Sequence, residues 1–158
     1  MRHVVGVGDM KLSSNPGDVV VTHALGSCIG VAIYDARAKV GGILHFMLPL
    51  SSVNPEKAKN NPAMFADTGI PAFFKSAYKL GAARMALKIK MAGGAQVFDD
   101  KDFFAVGKRN QVVARKIFWK NNMLIEKEHV GGQMSRTMYL DIESGRTWLV
   151  VKGQEIEL

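Results

Sequence analysis

The chain has 158 residues, of which 47% are hydrophobic and 22% are charged. These values are typical of a globular protein, so we expect a single domain over residues 1–158 and exclude a disordered chain. The formal net charge of +7 favours an acidic partner, but the basic residues are dispersed and do not form the dense tract of a nucleic-acid-binding module.

The sequence also indicates where the protein works. No apolar run approaches the roughly 20 residues of a membrane helix, and residues 1–9 are too short and too soon interrupted for a signal peptide. Cys28 is the single cysteine, so no internal disulfide can form. Because a free thiol suits a reducing compartment, we expect a cytoplasmic protein without membrane insertion.

Three apolar segments in the first half of the chain predict strands. They are rich in β-branched residues and cover residues 19–22, 29–34 and 43–48, with a turn at 35–39. Continuous apolar runs of this kind are typical of strands covered on both faces of a sheet. Residues 51–62, rich in Ser, Asn, Pro and Lys, predict a long surface loop.

From Asp67 the spacing of the apolar residues becomes helical. Its apolar positions are Ile70, Phe73, Phe74, Ala77 and Tyr78. Asp67 or Thr68 is the expected cap, Gly81 the expected terminator, and Pro71 is expected in the first turn, where proline is tolerated.

The second half predicts four more strands and a second helix. The strands are expected over residues 85–91, 123–130, 137–141 and 147–151, the last two joined by a hairpin turn at 142–146. The helix is expected after Asn110, with Val113, Ala114, Ile117 and Phe118 facing inward. We therefore predict an α/β fold, a single domain in which two main helices pack against a mixed, sheet-rich core.

Cys28 stands where an apolar strand-like run gives way to Gly26 and Ser27. A lone cysteine is more often a small buried hydrophobe than a nucleophile, and both interpretations are open here. A nucleophilic thiol needs a base, which His45 on the next apolar segment could supply. A tight bend through Gly26 and Ser27 would also turn backbone amides toward an anionic acyl oxygen.

Other interpretations of the polar residues carry less weight. A histidine on an apolar strand is usually a core residue, so a catalytic His45 depends on its approach to Cys28. One cysteine and irregularly spaced histidines do not fit a zinc site, and we expect no metal and no cofactor.

Eight sequence blocks, mostly glycine and apolar residues, follow one another in a specific order. They cover residues 4–9, 15–17, 22–28, 41–49, 65–68, 80–82, 88–95 and 107–110. This ordered set, spanning nearly the whole chain, resembles the chemoreceptor glutamine deamidases of bacterial chemotaxis, the CheD family. The family usually carries a Gly-Gly-Asn-x-Gly-Arg turn near its end, whereas residues 131–136 have Ser135 at the third glycine position. The loop therefore either avoids a positive φ there or tolerates the strain.

The resemblance assigns roles to three residues. The catalytic cysteine and histidine of the family fall on Cys28 and His45, and Thr22 matches the third catalytic residue. The oxygen of Thr22 would accept the second ring N–H of His45 and fix its tautomer. The chain must then fold back near Gly26 for Thr22 and Cys28 both to reach His45.

The implied activity is cysteine-dependent deamidation of glutamine to glutamate on the signalling helices of methyl-accepting chemotaxis receptors, with release of ammonia. We also expect hydrolysis of receptor glutamyl methyl esters as a side activity. The resemblance further implies a CheC-type phosphatase as regulatory partner. The main alternative is a non-enzymatic basic adaptor that binds chemotaxis proteins, and a remoter one is a nucleic-acid-binding module.

Overall fold

The computed structural model of the chain describes residues 1–96 and 105–158, which form ten β-strands and three α-helices. The strands are β1 (Arg2–Val5), β2 (Asp9–Ser13), β3 (Val19–Leu25), β4 (Ile29–Asp35), β5 (Val40–Phe46), β6 (Leu87–Gly93), β7 (Ile125–Val130), β8 (Arg136–Asp141), β9 (Thr147–Val151) and β10 (Gln154–Glu157). The helices are α1 (Pro55–Asn60), α2 (Ala66–Lys79) and α3 (Val106–Lys120).

The strands form two five-stranded mixed sheets. The first sheet has the order β1-β3-β8-β9-β10, and the second has the order β2-β5-β4-β6-β7. The β1–β3 and β6–β7 pairs are parallel and the other pairs are antiparallel. The chain therefore passes from the first sheet to the second between β3 and β4, which is the segment that contains Cys28.

The second sheet is the middle layer of the fold, and every residue of β4 and β5 is buried. One face packs on α2 and α3 through a core that includes Leu44, Phe46, Phe73 and Phe118. The other face packs on the first sheet through a core that includes Ala32, Ile43, Leu140 and Leu149. The predicted coverage of both faces and the predicted α/β class with two main helices are confirmed.

Helix α2 begins at Ala66, ahead of both predicted cap residues. Phe65 occupies the N-cap position with extended backbone, and no side chain caps the helix. The prediction of Asp67 or Thr68 as cap is wrong, because the Asp67 carboxylate accepts hydrogen bonds from the Ser51 amide and hydroxyl at 2.9 and 2.8 Å. Pro71 consequently lies in the helix interior, beyond the first turn.

Two other elements depart from the prediction. The expected surface loop contains α1, whose amino end is capped by the Asn54 side chain, which accepts from the Lys57 amide at 3.1 Å. Helix α3 begins at Val106, four residues before Asn110, so Asn110 is within the helix rather than ahead of it. Its apolar stripe has the predicted inward direction, since Ala114 and Phe118 are buried in the core against the second sheet.

Candidate active site

The connection between β3 and β4 forms a corner between the two sheets. The pairing of β3 with β8 shifts register between Thr22 and Leu25, and Ala24 within this irregularity has a φ of 56°. The unusual backbone is thus at Ala24, two residues before Gly26, where the sequence predicted the reversal. Thr22 remains in the first sheet, while Cys28 directly precedes the first residue of β4 in the second sheet.

Cys28 and His45 lie on the same side of the second sheet. His45 pairs with Gly30 across β4 and β5, and Cys28 is two residues before Gly30. His45 stands between Leu44 and Phe46, which face the helices, and therefore points to the first sheet. Cys28 is partly buried against the core between the sheets. Diagonal neighbours within a ladder have Cβ atoms about 7 Å apart, and Cys28, one residue outside β4, makes no hydrogen bond to Nε2 of His45.

A hydrogen bond between the sheets fixes the orientation of His45. The Thr22 Oγ1 atom lies 2.7 Å from Nδ1 of His45, and the same hydroxyl donates to the carbonyl oxygen of Val5 at 2.7 Å. Because its single proton is used on Val5, the hydroxyl accepts from Nδ1–H. The neutral ring therefore carries its free lone pair on Nε2, which is buried without a hydrogen-bond partner among the described atoms.

Burial keeps the side chains of Cys28 and His45 neutral. Desolvation lowers the pKa of His45 to about 4, and desolvation also raises the pKa of the Cys28 thiol, opposed by the backbone amide of the same residue. At neutral pH Cys28 is accordingly a thiol, and the imidazole of His45 is unprotonated. This is the protonation state that a general base requires before it takes a thiol proton.

The carbonyl oxygens of the three residues before β4 all accept hydrogen bonds, two from the segment after β6 and one from α3. The Gly26 oxygen accepts from the Ala95 amide at 2.8 Å, the Ser27 oxygen from the Asn110 side chain at 2.9 Å, and the Cys28 oxygen from the Gly94 amide at 2.9 Å. The Gly26 amide itself donates to the Ala24 oxygen at 2.9 Å. Gly26 therefore helps to shape the corner, and the segment that carries the thiol is held both by the chain after β6 and by α3.

Gly93 packs directly against the cysteine backbone. It has a φ of +108°, and a Cβ atom placed on it would be 2.2 Å from the Cys28 carbonyl oxygen. Both the conformation and the close contact require glycine at this position. The paired glycines at 93 and 94 thus stand at the end of β6 and bring backbone against the Cys28 segment.

Asn110 is a site residue that the sequence reasoning missed. Its side chain is fully buried, and Nδ2 donates to the carbonyl oxygens of Ser27 and Met47. A usable signal was present, since Asn110 precedes Ala114 and Phe118 by four and eight residues and so shares their inward stripe. The predicted helix start, placed after Asn110, hid this pattern.

The loop over residues 131–136 is fastened to the same region. The Arg136 guanidinium is buried and donates to the oxygens of Gly93 and Gly131 and to Nδ1 of His129. Gly131 and Gly132 have positive φ values, whereas Ser135 is not among the residues with positive φ. The serine is accommodated because the loop avoids the left-handed conformation at that position.

Residues 1–96 and 105–158 show no cluster of three or more His, Cys, Asp or Glu side chains that could hold a metal ion. Over the same ranges, no helix has the length and apolar character needed to cross a membrane.

Comparison with known proteins places the chain in a family. The family model for CheD chemotactic sensory transduction matches residues 47–151. The chain belongs to the CheD family. A probable chemoreceptor glutamine deamidase CheD 1 of Syntrophus aciditrophicus is 51% identical over 150 residues, covering 95% of this chain and 94% of that protein. The CheD family resemblance inferred from the ordered sequence blocks is confirmed.

Two further CheD relatives come from distant organisms. A probable chemoreceptor glutamine deamidase CheD of Solibacter usitatus is 48% identical and covers 98% of this chain and 92% of its own length. A protein of the same name from Pyrococcus abyssi is 38% identical and covers 97% of this chain and 94% of its own. The similarity therefore extends over almost the whole CheD chain, beyond the range of the family model.

Proposed function

We propose that this CheD chain deamidates glutamine side chains of chemoreceptors, with Cys28 as nucleophile, His45 as base and Thr22 as the residue that orients the base. The observation that supports the proposal best is the 2.7 Å contact of Thr22 Oγ1 with His45 Nδ1. It directs the unprotonated Nε2 into the space between the sheets, on the side where Cys28 lies. The names of the relatives supply the substrate class.

The first half of the reaction transfers the acyl group to sulfur. Nε2 of His45 takes the thiol proton as Sγ of Cys28 forms a bond with the side-chain carbonyl carbon of the glutamine. The carbonyl oxygen becomes negative in the tetrahedral intermediate. His45 then returns the proton to the amide nitrogen, the C–N bond breaks, and ammonia leaves with a thioester remaining on Cys28.

The second half regenerates the enzyme. A water molecule gives a proton to Nε2 of His45 and adds to the thioester carbon. The C–S bond breaks, the proton passes to sulfur, and the receptor residue leaves as glutamate. The Nδ1–H bond to Thr22 keeps the ring in one tautomer through both halves.

The corner before β4 would stabilise the negative oxygen. We assign the donors to the backbone amides of Ser27 and Cys28, because the Gly26 amide donates to the Ala24 oxygen. Gly26 supports the oxyanion indirectly in this assignment, by shaping the corner that aims the following amides. The hydrogen bonds to the carbonyls of residues 26–28 keep that corner fixed.

The test is co-incubation of the protein with purified chemoreceptor, followed by mass spectrometry of receptor peptides for the conversion of amide to acid. Cys28→Ala should abolish the conversion and preserve the circular dichroism spectrum and receptor binding. Deamidation at the wild-type rate by Cys28→Ala would refute the nucleophile. Receptor binding without deamidation by the wild-type protein would instead support the adaptor.

The remaining parts of the proposal concern setting and partners. We propose a cytoplasmic single-domain enzyme that needs no cofactor, hydrolyses receptor glutamyl methyl esters as a side activity, and binds a CheC-type phosphatase. The esterase activity uses the same thiol, so Cys28→Ala should remove methanol release together with ammonia release.

Added phosphatase should compete with receptor for binding, and simultaneous binding of both proteins would contradict a shared surface.

A further inference from the structure

Asn110 holds together the two strand ends that carry the proposed catalytic pair. Its Nδ2 donates to the Ser27 oxygen at 2.9 Å and to the Met47 oxygen at 3.0 Å. Ser27 directly precedes Cys28, and Met47 is two residues after His45. One amide group thus connects the segment of the nucleophile to the segment of the base.

The bridge stands where the sheet no longer joins these segments. The last register pair between β4 and β5 at this end is Ile29 with Phe46. Beyond it the chain bends at Cys28 on one side and leaves β5 at Met47 on the other. The two protons on Nδ2 replace the ladder hydrogen bonds that are missing at this edge.

The side chain is poorly explained as packing alone. Asn110 is fully buried on the apolar stripe of α3, and its Oδ1 atom has no hydrogen-bond partner among the described atoms. An unpaired buried acceptor destabilises a fold, and leucine would fill the same stripe without it. Both partners of Nδ2 are carbonyl oxygens, which can only accept, so the orientation of the side-chain amide is fixed. The NH2 group is therefore the part of Asn110 that connects the two segments.

We propose that Asn110 is a positioning residue for the Cys28–His45 pair, a role that rests on the proposed function. Helix α3 packs on the face of the second sheet opposite to His45, so Asn110 acts on the backbone of the strand ends and not on the reacting atoms. Displacement of a reacting group by about 1 Å can cost on the order of a hundredfold in rate. The bridge prevents such a displacement between thiol and imidazole.

The experiment replaces the amide by a side chain that packs but cannot donate. Asn110→Leu should lower the kcat of receptor deamidation by about tenfold to a hundredfold and leave KM nearly unchanged. It should slow alkylation of the native Cys28 thiol by iodoacetamide, and the midpoint of urea unfolding should fall somewhat because the oxygens of Ser27 and Met47 lose their donor. A purely structural role would lower the midpoint in the same way but leave kcat and the alkylation rate of the folded protein unchanged.

The matched control is Asn121→Leu. Asn121 follows the end of the same helix, and its Nδ2 donates to the Ile117 oxygen at 2.8 Å, in an exposed position. Its replacement should change neither kcat nor alkylation. If Asn110→Leu does not fold, Asn110→Ala, which cannot overpack the site, gives the same comparison.

Parallel assay of Cys28→Ala separates the two claims. Equal kcat and alkylation rates in the Asn110 and Asn121 variants, with Cys28→Ala inactive, would overturn the positioning role alone. Deamidation by Cys28→Ala would overturn the proposed nucleophile.

Discussion

At the residue scale, the Thr22 hydroxyl serves two partners at once. It donates to the Val5 carbonyl and accepts from Nδ1 of His45, and it is completely buried. Both hydrogen bonds are made in the space between the sheets, where water is excluded and an unpaired polar group is costly. Thr22 therefore contributes to stability, and in the proposed mechanism it also sets the tautomer of the base.

Substitution at Thr22 should show that this residue orients His45 and does not itself take part in the bond changes. Thr22→Val keeps the shape but removes the acceptor, and it should lower deamidation by roughly one to two orders of magnitude without abolishing it. Thr22→Ser keeps the hydroxyl and should retain more activity. Timed mass spectrometry of receptor peptides measures both variants, and equal rates for Thr22→Val and wild type would eliminate Thr22 from the mechanism.

The pH dependence follows from the burial of His45, whose pKa is lowered from 6.5 to about 4. The base is lost only when Nε2 is protonated, so the acid limb of kcat/KM for deamidation should be near pH 4. A limb near pH 6.5 would show that the ring is not desolvated during the reaction.

Stability should depend on the same group. The unfolded chain binds the His45 proton below about pH 6.5, whereas the folded chain binds it only below about pH 4. This contribution, roughly 3 kcal/mol, is therefore present above pH 6.5 and lost as the pH falls toward 4. Urea unfolding at several pH values measures it in His45→Gln and wild type. His129→Gln is the necessary control, because burial beside Arg136 also lowers the pKa of His129.

At the element scale, β6 reaches the site through the backbone of its last residue. Gly93 lies against the Cys28 carbonyl with a φ of +108°. Gly81, which follows α2, has a nearly equal φ of +106°, and a Cβ atom placed on it would meet no described atom within 4 Å. The two glycines share nearly the same φ and differ in their surroundings.

This pair allows a controlled substitution. Gly81→Ala should cost about 1 to 3 kcal/mol of unfolding free energy, for the strained backbone alone. Gly93→Ala should cost more and should also slow alkylation of Cys28, because the new methyl group collides with the Cys28 carbonyl. Urea unfolding and iodoacetamide labelling provide the comparison, and equal effects of the two variants would contradict the close contact.

The sequence predicted those elements whose pattern is local. A short stretch of sequence is enough to predict each of these elements. They are the buried strands β4 and β5 and the helices α2 and α3 with their apolar stripes. Strand β1 is short and half exposed, and it exists because it pairs with Val19–Thr22, a contact between distant segments. Local patterns carry no information about such pairing.

The residues of the candidate site also differ in how far the sequence predicts them. Cys28, His45 and Thr22 could be named from the sequence because an ordered set of motifs surrounds them. The inward position of Asn110 follows from the apolar stripe of α3, but the bridge that it forms could not be predicted, because the bridge depends on α3 packing over the ends of β4 and β5. The exact place of the reversal, at Ala24, depends on an irregular pairing with β8 that composition does not specify.

At the scale of the whole molecule, the net charge of +7 should influence encounter more than affinity. If the receptor surface is acidic, raising the salt concentration from low to physiological should slow association and leave dissociation nearly unchanged. Stopped-flow binding to a receptor fragment measures both rates. A salt-independent association rate would remove this explanation for the basic composition, and tighter binding to DNA than to receptor would favour a nucleic-acid-binding protein.

The Thr22–His45 hydrogen bond spans the boundary between the two sheets, with one partner in each. Secondary structure survives within each layer even when the layers slip, but a bond across the boundary does not. A compact state that keeps the native far-UV circular dichroism spectrum but has lost its fixed side-chain packing would therefore have no deamidase activity. Heat or mild denaturant should abolish deamidation before the helices and strands unfold. Loss of turnover should therefore reveal disruption of the packing between the two sheets earlier than far-UV circular dichroism does.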